Sequence, residues 1–245
     1  PYTVTGLTND IEHAFTMNGR TGGGEGGPGS AVVKATPRLA GGTWANGSII
    51  AGAGNLRSIA YGPASGATYN TYVAVGDGGQ KYRLDRPDWN ANHAATWTAI
   101  SDAAHTADVK AAIYAISRFI TAGAGGELLY STDISTWTAG TVTNWAATNP
   151  GAAVDLNALA TNGSTVVAVG NGGASLHSTD GTSWTAAASP NNANLYGVTY
   201  SAKGVWIAVG AAGTIITSTD GSTWIDQSVG GADLRAVSAA TRSIS

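Results

Sequence analysis

STDISTW (131–137), STDGTSW (178–184) and STDGSTW (218–224) are one phrase written three times. Self-similarity at a period of roughly 40 residues marks a repeat architecture, in which each copy buries its apolar face only against its neighbours. Outward from the phrase, each copy divides into four short strand-like segments, in the last copy 195–200, 205–209, 214–218 and 222–225. The second segment reads VWIAV there, TVVAV at 165–169 and TYVAV at 71–75. Such continuous apolar runs suit strands buried on both faces.

A glycine follows each run, at Gly76, Gly123, Gly170 and Gly210, and opens a turn reading GDGG, GAGG, GNGG or GAAG. The expectation is a tight hairpin turn for which glycine supplies positive φ. Four antiparallel strands per unit, repeated radially, is the arithmetic of a β-propeller. The closing tryptophan recurs at Trp44, Trp97, Trp137, Trp184 and Trp224, and the opening strand at Leu56, Val109, Leu156, Leu195 and Leu234. The two series are out of phase. The reading is therefore an all-β, five-bladed propeller of four-stranded antiparallel blades, its ring closed by the C-terminal strand joining the N-terminal blade. VTGLT (4–8) is the rival for that closing place. A single domain of residues 1–245 is expected: an arm at 1–10, blades at 11–55, 56–108, 109–155, 156–194 and 195–233, and a closing strand at 234–245.

Composition fits a neutral polar surface. Charged residues make up 11 % of 245, and glycine alone numbers 35, against about 25 % charged in ordinary soluble domains. With a formal charge of −3 and only 12 Lys and Arg, the chain offers no basic stripe for a nucleic-acid backbone. No apolar run reaches the ~18 residues of a membrane-spanning helix, and PYTVTGLTND (1–10) lacks the regions of a signal peptide. Without cysteine, disulfides and thiolate metal sites are excluded.

The repeated blocks resemble the Asp-box (BNR-like repeat), SxDxGxTW, of sialidases and of many non-enzymatic propellers; Ile134 stands where the first copy would have glycine. The wider phrase LYGVTYSAKGVWIAVGAAGTIITSTDGSTW (195–224) is similar to repeats of photosystem II assembly-factor-type propellers and of bacterial and bacteriophage surface proteins. The resemblance implies that these turns lie away from the ligand face. Physically the block is a turn device: Asp133, Asp180 and Asp220 accept backbone N–H groups while the tryptophan packs over the blade junction.

No catalytic residues are expected. A sialidase needs an arginine triad, a tyrosine nucleophile with a glutamate, and an acidic proton donor. Arg20, Arg38, Arg57, Arg83, Arg86, Arg118, Arg235 and Arg242 do not reproduce the triad at matching repeat positions, and Glu12, Glu25 and Glu127 stand in no catalytic setting. His13, His93, His105 and His177 lack ligand spacing, so neither metal nor cofactor is expected. GGGEGGPG (22–29) lacks the lysine of a phosphate loop.

The second residue of each opening strand is Arg57, Lys110, Asn157, Tyr196 and Arg235 in turn. In a propeller this register falls near the mouth of the central channel, where three cations, an amide and a phenol can bind an anion or a sugar. Water-bonded capping of the channel is the bland alternative. Trp145, in the long connection 138–155, lies on the same side and joins the ligand-binding set. Loops that depart from a repeat tend to carry recognition. Two such departures, 62–70 and 83–96, leave the second blade on the opposite face, where Arg86, Asp88, Trp89 and His93 form the expected partner interface.

These features suit a non-enzymatic structural or binding module, foremost an exposed bacteriophage virion protein of the tail or capsid-decoration kind, at the virion surface. Its partners would be other virion proteins or cell-surface glycans, with homo-oligomerisation left open. The alternatives are a secreted or surface lectin-like carbohydrate binder, then a sialidase-like hydrolase, then a photosystem assembly factor.

Overall fold

The computed structural model of the chain describes residues 13–15, 33–35, 50, 52–66, 70–85, 97–143 and 154–239. The chain divides into two compact units, Pro1–Ile49 with Asn90–His93 and Ile50–Trp89 with Ala94–Ser245. In the first unit β1 (His13–Phe15) pairs antiparallel with β2 (Val33–Ala35).

The second unit repeats one sheet four times. β3 (Leu56–Pro63), β4 (Asn70–Gly76), β5 (Lys81–Asp85) and β6 (Thr98–Ala99) form the first. β7 (Val109–Ala115), β8 (Arg118–Gly123), β9 (Leu128–Ser131) and β10 (Thr138–Ala139) form the next. After β11 (Thr141–Thr143) come β12 (Leu156–Thr161), β13 (Val166–Gly170), β14 (Ser175–Ser178) and β15 (Ser183–Ala187). β16 (Leu195–Tyr200), β17 (Trp206–Gly210), β18 (Ile215–Ser218) and β19 (Ile225–Asp226) complete the series. Within each, neighbours in sequence pair antiparallel, and the opening strands β3, β7, β12 and β16 lie against one another in order.

The core lies at the junctions between sheets. Every residue of β13 is buried, as its unbroken apolar sequence predicts. Trp137 closes a cluster with Val73, Val75, Phe119 and Leu129, Trp184 one with Ala111, Ile120, Leu128 and Leu176, and Trp224 one with Val167, Val169, Leu195 and Ile216. Each repeated tryptophan thus packs its sheet onto the preceding one.

Three expectations are corrected. First, the repeat appears among the described residues as three four-stranded sheets and one of five strands, β11 adding to β15, where the repeat count predicts five four-stranded blades; most of 11–55 lies outside the described residues. Residues 234–238 form no strand: only the Leu234 N–H reaches the ladder edge, at the Gly210 carbonyl 2.9 Å away, and no described strand lines its other side. Second, the glycine opening each central turn is extended, with φ −162 at Gly170. What requires glycine there is closeness, because a Cβ would sit 2.1 Å from the Asp155 carbonyl oxygen. Third, the last outer strand is only Ile225–Asp226, because the Ser222 and Thr223 amides donate to Asp220 instead of to a ladder.

The β7–β8 hairpin carries a local conflict. Its two turn residues, Ile116 and Ser117, have φ of 51 and 58, the left-handed pair of a type I′ turn that favours Asn-Gly. Ser117 is exposed and contributes no packing. Ser117→Gly is therefore expected to raise stability by about 0.5–1 kcal/mol, read as an upward shift in a urea midpoint.

Candidate functional site

The residue before each opening position is Asn55, Asp108, Asp155, Asn194 or Asp233, and Asp108, Asp155 and Asn194 link consecutive sheets. Asp108 accepts the Gly78 N–H at 2.7 Å, Asp155 that of Gly125 at 2.9 Å, Asn194 that of Gly172 at 2.8 Å and Asp233 that of Ala212 at 3.0 Å. The backbone carbonyls of Asn55, Asp108, Asp155 and Asn194 accept from the following turn of their own sheet, from Asp77, Ala124, Asn171 and Ala211. One Asp or Asn therefore fastens two sheets at the end where the opening strands begin.

The second residues of the opening strands stand on this frame. Arg57 pairs with Asp77, which also receives the Asn55 amide at 2.8 Å. Lys110 Nζ donates to Asp155 at 2.7 Å and to the Asn157 side-chain oxygen at 3.1 Å. The Asn157 amide in turn donates to Asn171 and to the Leu195 carbonyl, each at 2.8 Å. Arg235 bonds Asp233 at 2.8 Å, and its guanidinium lies 4.5 Å from the Tyr196 ring centroid. The structure thus joins Lys110 to Asn157 and Tyr196 to Arg235, and every cation of the row has an aspartate partner.

Two of these pairings lower a carboxyl. The Arg57 hydrogen bond, then Asn55, holds Asp77 below the usual carboxylate range; Lys110, then the Gly125 amide, does the same for Asp155. The row is a string of fixed ion pairs and amides, able to donate and accept hydrogen bonds on one surface. Trp145, Arg86, Asp88, Trp89 and His93 lie outside the described residues.

The repeated blocks behave as turn devices. Asp133 accepts the Ser135 and Thr136 amides, each at 2.9 Å, and Asp180 those of Thr182 and Ser183, each at 2.7 Å. Ser131, Ser178 and Ser218 accept the amides of Ile134, Gly181 and Gly221, each at 2.8 Å. Burial pushes the Asp180 carboxyl up, and the Ser183 and Thr182 amides outweigh it, leaving Asp180 well below the usual range. Ile134 takes the left-handed place of glycine, with φ 62, and its side chain is buried in the Trp137 cluster.

A second polar cluster was not legible in the repeat. Lys81, on β5, has no exposed side-chain surface; its Nζ donates to Asp102 at 2.8 Å and to the Gly79 carbonyl at 3.2 Å, and it lies 5.4 Å from the Trp137 ring centroid. His105 Nδ1 sits 2.9 Å from the same carboxylate. Burial raises the Asp102 carboxyl, and the hydrogen bonds from Lys81 and His105 more than reverse that. Glu127, half-buried nearby, is pushed up by burial against the pull of His105 and Lys81. A carboxyl raised in the fold costs stability as pH climbs through its folded value. Glu127→Gln is therefore expected to match the wild type near pH 4 and exceed it at pH 7, by under about 1 kcal/mol for a half-exposed group. Paired urea titrations at the two pH values check this.

No protein-family model matches the chain, and no curated protein matches it. Among the solved structures it resembles is that of YCF48 bound to D1 peptide, with a TM-score of 0.51 and 15 % identity. The match covers 93 % of this chain and 65 % of that one, so the chain spans slightly less than two thirds of its neighbour's length. YCF48 is a β-propeller, and the likeness together with the four repeated sheets gives this chain a β-propeller repeat fold.

Proposed function

We propose that this protein is a non-enzymatic structural and binding module that meets its partner through the row Arg57, Lys110, Asn157, Tyr196 and Arg235, with Trp145 beside it. One observation carries the reading: each charged group of the row is held by a neighbour, so the surface is set before a partner arrives and little side-chain freedom is lost on contact. Asp77 and Asp155, held below the usual carboxylate range by Arg57 and Lys110, serve hydrogen bonding better than proton donation.

In this reading the repeated blocks are Asp-box turns, and a fifth blade takes in residues 11–55 with 234–238 as its inner strand. Asp233 supports the closure, since it grips Ala212 as Asn194 grips Gly172. Ile59 and Tyr61 also support it: 56 % and 50 % exposed, they hold on β3 the places of Val198 and Tyr200 on β16, where Val198 is only 8 % exposed.

The low charge and the richness in small polar residues favour an exposed bacteriophage virion component, attached through Arg86, Asp88, Trp89 and His93. The row then faces host-surface glycans. Labelled protein titrated on host cells and on a glycan array tests it. Tyr196→Ala and Arg235→Ala should each weaken binding at least tenfold without moving the melting temperature. Wild-type protein that binds neither cells nor glycans would refute the recognition role.

A further inference from the structure

The charge on the row is set by the frame beneath it. Arg57 pairs with Asp77, Lys110 with Asp155 at 2.7 Å and Arg235 with Asp233 at 2.8 Å. Asp108 holds the same repeat position as Asp155 and Asp233, directly before an opening strand position, yet it belongs to no ion pair among the described residues. Three cations therefore stand against four carboxylates, Asp77, Asp108, Asp155 and Asp233, and the described row carries one formal negative charge in excess. An anion arriving here would meet cations already neutralised and a surplus carboxylate beside them, and like charges brought together oppose binding.

The same groups keep hydrogen-bonding capacity of both kinds. Arg57, its side chain 43 % exposed, uses Nε on Asp77 and keeps its terminal N–H groups. Lys110 uses two of its three N–H donors, on Asp155 and Asn157. Asp108 accepts the Gly78 N–H at 2.7 Å with one carboxylate oxygen and keeps the other. Asp77 foremost, and Asp108 after it, hold the Arg57 guanidinium above its ordinary value, so a free acceptor lies near free donors. A hydroxyl, which donates one hydrogen bond and accepts others, matches such a neighbourhood.

We infer that the row selects uncharged, hydroxyl-rich glycans and excludes those bearing sialic or uronic acids, an inference that rests on the recognition role proposed above. Neutral sugar hydroxyls use the Arg57, Lys110 and Asp108 groups left free, while Asp108 supplies the repulsive element that turns an acidic relative away. The fastening of the sheets does not need that charge. Asn194 takes the Gly172 N–H at 2.8 Å with its side-chain oxygen, as Asp108 takes that of Gly78. Asp108→Asn therefore removes the surplus charge and leaves the frame standing.

Binding of the full chain to neutral oligosaccharides, each immobilised beside its sialylated or uronate-bearing counterpart, tests the selection at low and at high salt. The expected result is a preference of about tenfold or more for the neutral member of a pair, with its binding little changed by salt because no net charge is being screened. Asp108→Asn, melting as the wild type does, should narrow the preference by admitting the acidic member. Stronger binding of the acidic members, or neutral binding that disappears at high salt, would overturn the inference and leave the recognition role in place. A preference unmoved by Asp108→Asn would overturn the part given to the surplus carboxylate. Silence on every pair, neutral and acidic alike, would instead overturn the recognition role and this inference with it.

Discussion

Asp102→Ala is expected to destabilise the protein by about 3–5 kcal/mol, because breaking a buried ion pair from one side leaves the other charge without compensation. Lys81 has no exposed side-chain surface and Asp102 very little. Without the carboxylate, the ammonium keeps as close partners the Gly79 carbonyl and the Trp137 ring face, with the half-buried Glu127 nearby. Removing both charges is different: Lys81→Met with Asp102→Ala should recover most of the loss, since an apolar side chain suits a buried site at least as well as an ion pair. Urea denaturation of the two single variants and the double variant checks this. A single-variant loss under about 1 kcal/mol, the range of an exposed pair, would contradict it.

Trp184→Ala should cost about 3–5 kcal/mol through lost burial and the cavity left behind. Trp184 is 1 % exposed, packs on Ala111, Ile120, Leu128 and Leu176, and lies under the crossing of Gly140. Trp97 occupies the same place in its repeat but is only half-buried. Trp97→Ala should cost clearly less, so thermal melts of the pair compare one sequence signal in two surroundings.

The repeat made the second unit readable because its period recurs in residues that do the same work in each copy. The STD blocks form like turns, Trp137, Trp184 and Trp224 pack at sheet junctions, and the apolar second strands lie inside their sheets. The row of second residues has a chemistry that the register alone does not give. Arg57, Lys110 and Arg235 read as a ring of cations in sequence, while in space each is matched by an aspartate. The partners Asp77, Asp155 and Asp233 sit two to 45 positions away, where strand periodicity gives no hint. A sequence mark did exist: an Asp or Asn directly before each of Leu56, Val109, Leu156, Leu195 and Leu234.

Other features follow from tertiary contact alone. Lys81 lies in the register of Leu128, Ser175 and Ile215, so the repeat assigns it an apolar neighbourhood; its partners Asp102 and His105 come from an irregular connection. The cap of β11 on β15 likewise arises from the connection 138–155, which reads as a long loop. The C-terminal segment 234–238 joins the described ladders only through the Leu234 N–H, since alternation and β-branching make a strand only where a partner completes its ladder.

The most direct measurement of the account is a cryo-EM reconstruction of virions from the source of this chain. The account predicts propeller density seated on the particle through residues 83–96, with Arg57, Lys110, Asn157, Tyr196 and Arg235 facing outward. A particle without that density, or with this row buried against the capsid or tail, would contradict it.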